Sequence, residues 1–357
     1  MVDHQFDYGE WTGHVSESTT QVCTYGGETG ITFTAWQKTF RDELREVLGF
    51  PVIRDNGATD LDPRRRETRD VEAGAGQNYE RQTWSVETER GFRVPFHLLL
   101  PSSADPPYPV VLALHGHAES GKDLAAGVVE SDADRRRVSE ERRDIARQAV
   151  ERGFAALAPD MRAFGELARG REEGEEGSGS TDGGRACTRW QKTAQLVGRS
   201  LVGERVWDAL RLVEFVERRP ELDDDRIAVT GHSGGGMVAL FSAALDERLS
   251  PAAPCASVCS FDHSIVPIDH CLCNYVPGVR RLGEIGDVAG LVAPRPLCVV
   301  AGDDDPIFPE AGTRRAFDRI REIYRGAGAE EQCSLFVGEG GHRFYGAGVW
   351  PFVERNL

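Results

Sequence analysis

Gly231-His232-Ser233-Gly234-Gly235 decides how this chain folds, because it stands where a strand must turn at once into a helix. Just upstream, Arg226-Ile227-Ala228-Val229-Thr230 is a short strand-like run that ends at the first glycine. Downstream, residues 237–245 (Met-Val-Ala-Leu-Phe-Ser-Ala-Ala-Leu) read as a buried helix. The glycines suit a turn so tight that a Cβ would strike neighbouring backbone. A serine on such a turn has its Oγ lifted above the sheet edge, with the amide dipoles of the following helix aimed at it. Gly-x-Ser-x-Gly also occurs in plain αβ turns, so the surrounding pattern has to carry the reading.

That pattern is an alternation of strands and helices. Residues 83–88 and 92–100 resemble a hairpin joined at Glu89-Arg90-Gly91, and 109–114 is an apolar run expected of a strand covered on both faces. A charged helix over 140–152 leads to a strand at 154–158, and a helix over 202–218 leads to the elbow strand. Beyond the elbow helix the pattern predicts a strand near 256–260, a short helix at 285–291 and a strand at 296–301. A helix at 312–326 and a strand at 333–337 complete the series. The expected fold is α/β, a three-layer αβα sandwich around a mainly parallel twisted sheet of about eight strands. Residues 1–80 precede this series as an N-terminal extension, and 81–357 form the main domain. Within the extension Phe33, Trp36, Phe40, Leu44, Val47 and Leu48 recur at helical spacing, giving an amphipathic helix closed by Gly49 and Pro51 and packed on the core. Residues 55–70, rich in Arg and Asp, read as a polar connection.

Composition removes several classes of function. A net charge of −16 over 357 residues argues against nucleic acid or an anionic membrane as partner. No apolar run approaches the roughly 18 residues of a membrane span. Residues 1–7 carry neither a basic region nor an apolar one, so the expected location is cytoplasmic. Lys38, Lys122 and Lys192 are the only lysines, and Ser120-Gly121-Lys122 lacks the spacing of a phosphate-binding loop. The eight cysteines are too sparse for a disulfide scaffold. His270-Cys271-Leu272-Cys273, with Cys255 and Cys259 upstream, does not match a paired Cys-x-x-Cys ribbon. Neither a metal nor a cofactor is therefore expected, and Cys271 and Cys273 are read as structural thiols.

A serine hydroxyl needs a base to take its proton, and the base needs an acid to fix its tautomer. Both follow the elbow, each at a strand end. Gly302-Asp303-Asp304-Asp305-Pro306 comes after one strand and Gly340-Gly341-His342-Arg343 after the next. His342 is the candidate base. Asp305 is the candidate acid, three residues after Gly302, with Asp303 and Asp304 read as solvated or capping carboxylates. Backbone N–H groups of Gly234 and His117 are the candidate oxyanion donors. His115 is read as a brace for that loop. Residues 262–281 and the loop after Asp160 follow strand carboxyl ends, the edge where open α/β sheets bind ligands. With the helix around Trp36 they are expected to edge the pocket. The acidic stretch 170–184 reads as a mobile surface loop.

These segments resemble the acetyl xylan esterase-like and dienelactone hydrolase-like branch of the α/β-hydrolase superfamily. The resemblance rests on His115-Gly116-His117, residues 160–166 and 231–236, Ala293-Pro294-Arg295-Pro296, residues 302–309 and Gly341-His342-Arg343-Phe344-Tyr345. The helix around Trp36 and residues 270–278 are similar to an acetyl xylan esterase-like subgroup. The resemblance implies a serine ester hydrolase with Ser233 as nucleophile, His342 as base and Asp305 as orienting acid. Its partner would be a small-molecule ester of a short acyl group, acetyl first, possibly on a carbohydrate. Acetyl xylan esterases usually have glutamine where this chain has Gly234, and dienelactone hydrolases usually have cysteine where it has Ser233. A serine peptidase of the prolyl oligopeptidase type shares the fold and triad order, but 80 residues cannot make that family's propeller. A non-catalytic binding protein on the same scaffold would be expected to have lost a member of the triad.

Overall fold

The computed structural model describes residues 7–26, 31–57, 60–72, 77–168 and 183–357. The acidic stretch 170–184 lies, apart from its last two residues, outside them. Among the described residues nine strands form one sheet: β1 (Arg64–Val71), β2 (Tyr79–Glu89), β3 (Phe92–Pro101), β4 (Tyr108–Leu114), β5 (Ala155–Pro159), β6 (Leu222–His232), β7 (Leu249–Cys255), β8 (Leu297–Gly302) and β9 (Cys333–Gly338). Their order is β1-β2-β3-β5-β4-β6-β7-β8-β9. The β1–β2, β2–β3 and β3–β5 pairs are antiparallel, and every pair from β5–β4 to β8–β9 is parallel.

The central strands are apolar on both faces, and successive side chains feed two separate cores. Val110, Leu112 and Leu114 of β4, Ala155 and Leu157 of β5, and Leu297 and Val299 of β8 enter one core. Val111, Ala113, Ala156, Ala158, Cys298 and Val300 enter the other. The first core is closed by the helices Phe33–Leu48, Leu201–Glu217, Gly234–Leu245 and Glu310–Gly326, the second by Ile145–Val150 and Gly346–Asn356. This is the expected three-layer α/β arrangement. Among the described residues no helix is long and apolar enough to cross a membrane.

The helix Phe33–Leu48 starts where the Thr32 side chain accepts from Ala35 N–H at 3.2 Å and ends at Gly49, whose φ of 86° only glycine adopts freely. Trp36, Phe40, Leu44 and Leu48 sit in the same core as the sheet. Each such side chain contributes about 1.5–3 kcal/mol on burial. Gln37 Nε2 reaches Ala293 O at 2.7 Å, and Arg41 Nε reaches Ala244 O at 2.9 Å.

Three expectations need correction. Residues 64–71 are a strand, because their backbone pairs with β2 while nearly every side chain stays in solvent. A charged edge strand of this kind has no apolar alternation to betray it. The strand expected near 256–260 is Leu249–Cys255, held by β6 and β8 on either side. Pro251 and Pro254 hide it, and Ala256 at φ 51° ends it. The charged helix over 140–152 is confined to Ile145–Val150, with a separate helix at Asp132–Ser139 and Arg142 at φ 58° between them.

Candidate active site

Ser233 sits at the junction of β6 and the helix Gly234–Leu245 with φ 56° and ψ −122°, a strained conformation for a residue bearing a side chain. The turn is as tight as its glycines imply. A Cβ on Gly235 would stand 2.2 Å from Leu114 O, and one on Gly231 would stand 2.5 Å from Gly235 C. The close approach of β4 to the elbow brings His115-Gly116-His117 beside the serine.

The strand ends of β8 and β9 bring the candidate acid and the candidate base together. His342 Nδ1 lies 2.7 Å from Asp305 Oδ2. Asp305 is 4 % exposed, and its Oδ1 accepts from Ile307 N–H and Phe308 N–H at 3.0 Å each. Of the three aspartates, Asp303 and Asp304 are exposed, and Asp303 Oδ1 accepts from Gly340 N–H at 2.8 Å. Phe308 lies along one side of the His342 ring (centroids 5.7 Å apart, planes 21° apart), and His232 touches it at 4.6 Å. His342 thus meets the residue immediately before Ser233. A Ser233–His342 hydrogen bond is not among those formed by the described residues. Such contacts are often long in the free enzyme and tighten when substrate binds.

On the other side of Ser233, Gly234 begins a helix, where N–H groups have no partner within the helix. The His117 ring lies over it, since a Cβ on Gly234 would be 3.2 Å from His117 Cε1. Arg143 Nη1 donates to His117 O at 2.9 Å and fixes the loop from behind. His115 braces the same loop. Its Nε2 accepts from Met161 N–H at 3.0 Å, while Nδ1 lies 2.7 Å from Gly116 O. Burial lowers its pKa to about 3, so the ring is neutral. Burial likewise holds His232 well below the usual histidine range, and neither of its ring nitrogens has a hydrogen-bond partner among the described residues.

Part of the 262–281 segment reaches the site. Asn274 Oδ1 would lie 3.7 Å from a Cβ on Gly234. Trp36 does not edge the pocket, being 2 % exposed with its indole N–H donating to Cys23 O at 2.6 Å. The polar anchors of its helix grip the far end of the elbow helix, at Ala244 and Leu245. A groove of about 390 Å³ lies beside Arg343, lined also by Arg142, Arg152 and Trp350, and does not include Ser233.

Sequence reasoning missed what surrounds His117. Cys271 and Cys273 come together with Cys187, from the helix Gly183–Leu196, and with His117. One ligand-type atom from each of the four lies within 4.8 Å of the other three. His117 Nε2 is 3.2 Å from Cys273 Sγ, and the sulfurs of Cys271 and Cys273 are 3.3 Å apart. Hydrogen bonding with Cys187 and Cys271 holds the Cys273 thiol well below its usual range; burial opposes this, and the Arg205 guanidinium reinforces it. The Cys271-x-Cys273 pair was the one signal in the sequence, but its partners stand far upstream in two other segments.

A serine on a positive-φ elbow, a sheet in this order and a His–Asp pair on the following strand ends define an α/β-hydrolase. The chain belongs to the Abhydrolase family, whose model matches residues 21–337. It is similar to the YtaP protein of Bacillus subtilis (strain 168), 26 % identical over 256 residues that cover 70 % of this chain and 78 % of that protein. Two solved structures share the fold at low identity. A Bacteroides fragilis NCTC 9343 protein provisionally described as an acetyl xylan esterase aligns with TM-score 0.73 and 16 % identity, over 92 % of this chain and 81 % of that one. A CE15 glucuronoyl esterase from Teredinibacter turnerae T7901 aligns with TM-score 0.65 and 17 % identity, over 96 % and 90 %.

Proposed function

We propose that the protein is a serine carboxylic-ester hydrolase acting on short acyl esters, acetyl first, with a carbohydrate as the alcohol part. The observation that carries this reading is the 2.7 Å His342–Asp305 contact set beside the strained serine elbow. Asp305 keeps the proton of His342 on Nδ1, leaving Nε2 free to accept the Ser233 proton as Oγ attacks the ester carbonyl. The N–H groups of His117 and Gly234 stabilise the oxyanion. His342 then protonates the leaving alcohol, and the same residues activate a water that releases the acid and frees Ser233. Structures described as carbohydrate esterases lend support to the substrate class, as does the cover that Asn274 places near Gly234. Residues 81–357 carry the chemistry, and residues 1–80 act as a supporting extension.

The test is hydrolysis of p-nitrophenyl acetate, butyrate and octanoate, with acetylated xylo-oligosaccharides alongside. The expected order of kcat/KM is acetate first and octanoate last, and Ser233→Ala lowers turnover by about 10⁴-fold or more with the fold intact. Wild-type rates in a folded Ser233→Ala protein, or a steady rise towards octanoate, refute the nucleophile or the short-acyl pocket respectively.

A further inference from the structure

We propose that His117, Cys187, Cys271 and Cys273 bind a structural zinc ion that clamps the loop carrying His117 against the elbow helix. This inference does not depend on which ester the protein cleaves.

The donor set has the right number, kind and spacing. Three thiolates and one imidazole are a set that closes a tetrahedral zinc site without leaving a position for water. With Zn–S near 2.3 Å and Zn–N near 2.0–2.1 Å, tetrahedral angles put sulfur atoms about 3.8 Å apart and sulfur and nitrogen about 3.6 Å apart. The four donor atoms here lie within 4.8 Å of one another, with two of the edges at 3.2 and 3.3 Å. Binding would open those two edges by about 0.4 and 0.5 Å and would close an edge at the 4.8 Å bound by about 1 Å, movements within reach of side-chain rotation. Thiolate-rich sites favour zinc, copper(I) and iron–sulfur clusters over hard cations, and the single imidazole in a four-donor tetrahedron points to zinc among these.

The surroundings supply what a buried thiolate site requires. Arg205 is 2 % exposed, and its Nη2 donates to Cys187 Sγ at 3.4 Å. The same guanidinium is held by two hydrogen bonds to Arg162 O, at 3.1 and 2.8 Å, and so is fixed in place. Three thiolates, one Zn²⁺ and Arg205 sum to zero charge, which removes most of the penalty of burying the thiolates. Phe164 closes the apolar side, 5.1 Å from the His117 ring.

The ligands come from three separate segments: the loop after β4, the helix Gly183–Leu196 and the insertion after β7. An ion there ties these segments together beside Gly234. Because the His117 ring lies over Gly234, the zinc sets where the His117 backbone N–H points. Its contribution is positional, and it takes no part in the chemistry.

The experiment measures zinc in the full-length protein, purified under reducing conditions, incubated with one equivalent of Zn²⁺ and desalted. About one zinc per chain is expected. Cys187→Ser and Cys271→Ser lower retention against a competing chelator by at least tenfold, whereas Cys333→Ser, a buried cysteine outside the cluster, retains it. Chelation of the wild-type protein lowers Tm by about 5 °C or more. Should the cysteine variants fail to fold, Co²⁺ substitution in the wild type decides, since tetrahedral thiolate coordination gives intense visible bands and a sulfur-to-cobalt charge-transfer band. Less than about 0.2 zinc per chain after loading overturns the proposal, as does zinc retained equally by both cysteine variants. Absence of the thiolate bands overturns it, and so does a metal-free Cys271–Cys273 disulfide in the reduced preparation.

Discussion

Replacing Asp305 by Asn tests the acid–base assignment with the least disturbance to the fold. Asp305 Oδ1 accepts from Ile307 and Phe308 N–H, and an asparagine carbonyl oxygen can do the same. The loop should persist, at a cost of about 1–2 kcal/mol for exchanging a charged acceptor for a neutral one. What changes is the other oxygen, which lies 2.7 Å from His342 Nδ1. An amide NH₂ there is a donor and requires an unprotonated Nδ1. The imidazole proton then moves to Nε2, where it blocks acceptance of the Ser233 proton. In Ser–His–Asp sites this wrong tautomer costs about 10⁴ in kcat, or about 5.4 kcal/mol of transition-state stabilisation at 1.36 kcal/mol per decade. Asp303→Asn should cost less than about threefold, because Asp303 is exposed and its Oδ1 accepts from the Gly340 N–H, which an asparagine carbonyl can also serve. Asp304→Asn should behave similarly. The assay is kcat/KM for p-nitrophenyl acetate, with far-UV circular dichroism and Tm on each variant. A folded Asp305→Asn protein losing less than about tenfold, or a larger loss at Asp303 or Asp304, refutes the assignment of Asp305.

The pKa of His115, lowered by burial to about 3 from an ordinary 6.5, makes part of the stability dependent on pH. The unfolded chain binds this proton below 6.5 and the folded chain does not, so the contribution is intact above 6.5 and lost as pH falls towards 3. At pH 5 the loss amounts to about 2 kcal/mol, and His115→Asn should flatten the urea-unfolding free energy between pH 5 and 7 by that amount. Equal slopes in the two proteins would show that His115 is protonated in the folded state. Phe40→Ala should cost about 3–5 kcal/mol in denaturant unfolding, because Phe40 is fully buried in the core shared with the sheet. A loss under about 1 kcal/mol would mean that the N-terminal helix is only loosely attached.

The parts of this protein legible in the chain are those whose cause is local. A tight turn between strand and helix needs glycine at 231 and 235 because of atoms a few residues away and on the adjacent strand, and the glycines announce it. Apolar runs such as 109–114 and 297–301 mark strands covered on both sides, since only burial on both faces justifies them. Asp305 follows such a strand, and His342 follows the half-buried edge strand beside it, so the order of elements places them at neighbouring strand ends, where they meet at 2.7 Å.

What needed the tertiary structure is whatever depends on contacts between distant segments. Arg64–Val71 is a strand because β2 lends it backbone partners, and its own side chains say nothing of that. Leu249–Cys255 is a strand despite two prolines because neighbours on both sides hold it. The contact of His232 with His342, and the burial of Trp36 away from the pocket, arise from packing that no periodicity encodes. The meeting of His117, Cys187, Cys271 and Cys273 is the furthest case. Spacing along the chain identifies metal ligands only when one hairpin or helix carries them. Here three segments separated by most of a domain supply the donors, and only the folded chain brings them within a few ångströms.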